Sequence, residues 1–157
     1  MTAGVTPELG AATRLAVARI AVERGSRARL AIRGRSMLPM LREPMTIDVR
    51  ALRRPARVGD VLVFRAGDAY VAHRVVGSAG EIYLTSGDGQ PDVVERVEPA
   101  DVLGLVEAVW SDASPAAVRV DSAPHRLRGL LYAHLRTARL VARRIAGRAR
   151  RLRTRET

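Results

Sequence analysis

A chain of 157 residues is long enough for one domain with an apolar core and too short for two ordinary ones. It has no cysteine, which excludes disulfides and thiolate metal sites. All 27 basic side chains are arginine, so no amine base is on offer, and the net charge of +11 is uneven: residues 126–157 hold 11 Arg against one acid.

Thr6, Pro7 and Glu8 supply an N-cap, a first-turn proline and an early acid. Leu9, Ala12, Ala16 and Ile20 then recur at helical spacing, which predicts a helix over 7–24. From Ala28 the period changes to two, and apolar runs at 28–33, 45–51, 60–65, 69–77, 81–86 and 101–110 predict six strands. Turn-forming clusters separate them, among them Gly34-Arg35-Ser36, Arg57-Val58-Gly59-Asp60 and Gly87-Asp88-Gly89-Gln90-Pro91. Residues 111–117 read as a loop and Val118 to Val120 as a brief strand, closing a β core over 28–120. The expected fold class is mainly β (α+β), a compact antiparallel core with an N-terminal helix and a C-terminal basic amphipathic helix.

The expected division is a folded module, 1–121, and an arginine-rich helical tail, 122–157. In the tail Leu127, Leu131, Leu135, Ala138, Val141, Ile145, Ala149 and Leu152 mark one face. Arginines including Arg136, Arg139, Arg143, Arg144 and Arg148 fill most of the rest. That pattern suits a helix lying on an anionic membrane surface, or one packed on the core with its charges in water. Nucleic acid ranks last as a partner, because only 3% of the chain is aromatic and single strands need stacking platforms. No apolar run approaches the roughly 18 residues of a membrane-crossing helix, and Pro7, Glu8 and Arg14 interrupt any secretion signal. The expected location is cytoplasmic or peripheral to a membrane. No cofactor is expected, and His125 and His134, without a nearby acid, do not form a metal site.

Three segments carry candidate chemistry. Ser36 sits in Gly34-Arg35-Ser36-Met37-Leu38-Pro39-Met40, a turn directly after a predicted strand, where Gly34 and Pro39 can hold a hydroxyl on a rigid bend. His73 lies in Tyr70-Val71-Ala72-His73-Arg74-Val75-Val76, where alternation puts it on the inward face with Val71 and Val75. Asp88 and Asp92 flank a tight turn further on. Each is commonplace alone: a turn serine, a core histidine, two turn aspartates. As an ordered set they can form a nucleophile, a base and an orienting carboxylate.

The same segments resemble the boxes of type I signal peptidases and of the related self-cleaving SOS-response repressors. Ser36-Met37 with Pro39 resembles the serine box, Val58-Gly59-Asp60 the following strand, Ala72-His73-Arg74-Val75-Val76-Gly77 the base-bearing strand, and Ser86-Gly87-Asp88-Gly89 with Asp92 the last box. In the bacterial enzymes and the repressors the base is lysine; in the endoplasmic-reticulum and archaeal branch it is histidine. With no lysine in the chain, the resemblance implies the histidine branch: a serine endopeptidase that cleaves signal or leader segments of a peptide or preprotein after small residues. Ser36 would be the nucleophile, His73 the base and Asp88 or Asp92 its support. Gly34, Arg35, Met37 and Pro39 would shape the oxyanion and substrate subsites, with the Ser36 N–H binding the oxyanion. The competing expectation is an inactive domain of this fold that only binds peptide or membrane. A self-cleaving repressor is disfavoured by the missing lysine and by the lack of a DNA-binding helix pair before residue 28.

Overall fold

The computed structural model of the chain describes residues 11–39, 41, 45–67, 69–111, 116–132 and 134–135. The expected strands form, with one more between them: β1 (Ala28–Ile32), β2 (Met45–Arg50), β3 (Val61–Ala66), β4 (Ala69–Ala79), β5 (Ile82–Gly87), β6 (Gln90–Val97), β7 (Val102–Ser111) and β8 (Val118–Arg119). Helix α1 (Ala11–Glu23) precedes them. All pairings are antiparallel, in the order β1-β2-β7-β3-β4-β5-β6, with β8 beside β7. The mainly β, α+β architecture is the one the alternation predicts.

The middle strand shows how the sheet makes two apolar layers. Val61, Leu62, Val63 and Phe64 of β3 are all buried, so both faces are covered. Val61 and Val63 join a layer with Ala18 and Val22 of α1, Met37, Ile47 and Val106. Leu62 and Phe64 join a second layer with Val75, Val97 and Leu105. Register shifts at Asp48/Val49, Val63/Phe64, Val75/Gly77 and Thr85/Gly87 interrupt the ladders; such bulges bend strands and increase their twist.

Two expectations need correction, and the tail is described only in part. The helix buries Ala18 and Val22 with Leu15 and Ala21 partly covered, whereas Ile20 is exposed; nearly every side of Ala11–Glu23 is apolar, so spacing alone did not select the face. Positions 7–10 of the expected helix lie outside the described residues. Strand β6 was missed because Pro91 and its polar neighbours read as loop. Among the described strands β6 pairs only with β5, and an edge strand tolerates a proline. In the tail, residues 123–132 are helical, but Leu127, Leu131 and Leu135 face away from the core and are exposed. Arg136, Arg139, Arg143, Arg144 and Arg148, and with them the expected membrane contact, lie outside the described residues. No helix among the described residues is long and apolar enough to cross a membrane.

The tail helix meets the core through Arg126, Gly129 and Leu130. Arg126 donates from Nη1 to the Asp121 carbonyl at 2.8 Å and, at 3.4 Å, to the buried Asp60. A Cβ on Gly129 would lie 2.2 Å from Cζ of Arg74, so only glycine permits this approach. His125 is half-buried at the same contact, and desolvation, then the positive charge of Arg74, lowers its pKa from 6.5. Folding therefore disfavours the imidazolium, and the stability this gives is present above pH 6.5 and lost as pH falls below it. Chemical denaturation at pH 7.5 and 5.5 should show lower stability at the acid pH, with the difference reduced in His125→Gln. Identical pH dependence in the two proteins would contradict this.

Candidate active site

The Ser36 turn is held at three points. Gly34, with φ +120°, takes a conformation rarely open to other residues and turns the chain out of β1. Met37 and Leu41 are buried in the first apolar layer, joined by a bond from Leu41 N–H to the Met37 carbonyl at 2.9 Å. From the far side of the sheet, Gly89 donates its N–H to the Ser36 carbonyl at 2.6 Å. Gly87 approaches equally closely, since an added Cβ would lie 2.6 Å from that carbonyl oxygen.

The hydroxyl so positioned meets His73. Nε2 of His73 lies 3.0 Å from Oγ of Ser36, and Nδ1 lies 2.5 Å from Oε2 of Glu95. The strands bring these groups together by register. Leu62 of β3 opposes His73 of β4, Val75 of β4 opposes Thr85 of β5, and Thr85 opposes Glu95 of β6. Glu95 thus falls on the face that carries His73, and Thr85 adds a longer contact from Oγ1 to its carboxylate at 3.4 Å. The ring is buried and stands edge-on to Phe64, 6.0 Å between centroids. In the tautomer with hydrogen on Nδ1, that nitrogen donates to Glu95, and Nε2 can accept from the serine hydroxyl.

Neither expected aspartate is on His73. Asp88 is buried and accepts from Nε and Nη2 of Arg74, both at 2.7 Å, while Nη1 of Arg74 donates to the Gly59 carbonyl at 2.8 Å. Arg74 follows His73 on β4, so its side chain takes the opposite face and draws Asp88 there. Asp92 is exposed on β6. The carboxylate beside the imidazole is Glu95, three positions beyond Asp92 on β6 and not among the residues that the sequence singles out.

Ser36 lies in the lining of a cleft of about 950 Å³ between α1, β1 and the start of β4. Of the expected subsite residues, Gly34 and Met37 line it, and Met37 is also a core residue. Arg35 and Pro39 are exposed and do not line it. Among the described residues β1 pairs with β2 alone, leaving the strand edge beside Ser36 open to a further strand.

The family model described as Peptidase S24-like matches residues 3–106 of the chain. Among curated proteins no relative matches. The family match overturns the expected affiliation with the histidine branch of the signal peptidases. S24-like enzymes work by a serine–lysine dyad, so the Ser-His(-Asp) mechanism and the cleavage of signal or leader segments after small residues fall with that affiliation. The missing lysine disfavours the repressor side of the resemblance, but the match spans two-thirds of the sequence and outweighs that one position. The sequence nonetheless contains no lysine, and the side chain opposite the Ser36 hydroxyl is His73.

Proposed function

From the premise that the chain belongs to the Peptidase S24-like family, we propose that it is a serine peptidase acting on an extended segment of a peptide or protein, with Ser36 as the nucleophile. The observation that carries this is the position of the Ser36 hydroxyl: in a cleft beside a strand, β1, that only β2 pairs among the described strands, its backbone gripped by the β5–β6 turn. A segment laid against β1 would gain affinity from main-chain hydrogen bonds, and the cleft would choose among side chains.

His73 and Glu95 enter this reading as positioning residues. Glu95 fixes the ring and the ring fixes the hydroxyl, which limits the rotamers Ser36 can sample before a substrate arrives. The family's lysine has no counterpart in the sequence, so the substitution that restores it is informative. Cleavage of a denatured protein substrate, followed by mass spectrometry of new termini, is expected for the wild type and absent in Ser36→Ala. His73→Ala should lose about 100-fold through misplacement of the hydroxyl. His73→Lys, which returns the family's side chain to face Ser36, should retain more activity than His73→Ala. Undiminished cleavage by Ser36→Ala would remove the proposal.

A further inference from the structure

The cleft that holds Ser36 carries positive charge that no described carboxylate neutralises. Four described arginines line it, Arg14 from α1, Arg29 from β1, and Arg27 and Arg33 from either end of β1, and no described aspartate or glutamate does. Two of the four are occupied. Arg27 donates from Nε and Nη2 to Glu107 at 2.5 and 3.1 Å. Arg29 donates from the same two atoms to Asp48 at 2.7 and 3.0 Å, and its guanidinium lies 4.5 Å from the ring centroid of Trp110. Both carboxylates titrate below their ordinary range, chiefly through these hydrogen bonds. Their charge belongs to the sheet.

Arg14 and Arg33 are different. Both are exposed, and neither has a carboxylate partner among the described residues. Arg33 directly follows Ile32, the last residue of β1, and stands three positions before Ser36. Arg14 reaches the same cleft from the helix on its other wall. The remaining lining is largely apolar, with Leu15, Leu30, Ile32 and Met37 among it and Tyr70 as its one aromatic ring.

We propose, resting on the peptidase reading above, that the preferred substrate is an acidic segment: an extended peptide with apolar side chains toward the cleft and an Asp or Glu near the scissile bond, bound by Arg33 and Arg14. A guanidinium grips a carboxylate through two parallel hydrogen bonds, and none of the described lining residues is an acid that would repel such a ligand. The strand edge and apolar walls favour a peptide over a nucleic acid, which would use neither and would find one ring to stack on.

The test separates binding from cleavage. Full-length Ser36→Ala protein is titrated with three peptides of equal length and apolar content, carrying a neutral dye and differing only in Glu, Gln or Lys at one position. The Glu peptide should bind about tenfold more tightly than the Gln peptide and the Lys peptide least tightly, with the spread narrowing as salt screens the charges. Adding Arg14→Gln and Arg33→Gln, both at exposed positions, should abolish the ranking, and Arg33→Glu should turn the preference toward Lys. Equal affinity for all three peptides would overturn the inference. So would a ranking that survives the double substitution, or displacement of the Glu peptide by an equal concentration of single-stranded oligonucleotide. In the Ser36 protein, Arg33→Gln should raise KM for the Glu peptide with little change in kcat. Charge-ranked binding without cleavage would sink the peptidase reading and leave this inference standing. Equal cleavage of all three peptides would do the reverse.

Discussion

Arg74→Met is expected to destabilise the protein by about 3–5 kcal/mol, the usual cost of breaking a buried ion pair by removing one partner. Arg74 and Asp88 are 0% and 1% exposed. Without the guanidinium, the Asp88 carboxylate loses both of its arginine hydrogen bonds in a place water does not reach, and the Gly59 carbonyl loses its donor. The damage should extend to the tail helix, whose Gly129 rests directly on the Arg74 side chain. Urea denaturation followed by circular dichroism measures the loss. Arg74→Met combined with Asp88→Asn should recover part of it, since the orphaned charge is then gone. A single-variant loss below about 1 kcal/mol, the range of an exposed pair, would contradict the buried assignment.

Gly87→Ala is expected to cut peptidase activity by about 100-fold, the scale of a displacement of roughly 1 Å at a reacting group, while the protein remains folded. The added methyl would lie 2.6 Å from the Ser36 carbonyl oxygen and 3.1 Å from the Ser36 Cβ. The obstruction is largely backbone, so relief comes only by moving the serine turn or the β5–β6 hairpin. Gly77→Ala is the matched control. Its nearest neighbour would be Leu84 Cδ1 at 3.6 Å, an ordinary contact, and its activity should stay near wild type. Equal activity in the two variants would show that the hairpin does not set the position of Ser36.

Seven of the eight described strands are legible as short apolar runs between turn-forming clusters, and their observed bounds lie within one or two residues of those expected. What the alternation could not give was the partner of His73. Asp88 stands out in the sequence as an acid in a glycine turn, whereas Glu95 is one charge among several in Asp92-Val93-Val94-Glu95-Arg96-Val97. The signal was there: Val97 is buried, and period two puts Glu95 on the same face as Val97. Reading it required accepting Pro91 inside a strand, which in turn required knowing that β6 is an edge. Arg74 hid the other half of the answer. It is a charged residue in a strand of valines, yet it is the largest fully buried side chain among the described residues, and it takes the aspartate the sequence seemed to offer to His73. The family was misassigned for a related reason. The four boxes belong to both sides of the resemblance, and the histidine at the base position points to one of them while the match over residues 3–106 points to the other.

The positive cleft was equally hidden in composition. Twenty-seven arginines say only that the protein is basic; pairing decides where that charge is available. Arg27 and Arg29 are neutralised by Glu107 and Asp48, residues from strands β7 and β2 that lie 80 and 19 positions away. Which arginines remain for a ligand is a property of the folded sheet.

The most direct measurement of the account is capture of the acyl group on Ser36. The wild-type protein is mixed with an activated ester of a short acidic peptide, quenched in acid within the first turnover and digested with trypsin, and the segment Ser36–Arg42 is weighed. The expected result is a mass gain of one acyl group on that segment, lost in Ser36→Ala. Acylation elsewhere in the chain with Ser36–Arg42 unmodified would contradict the account.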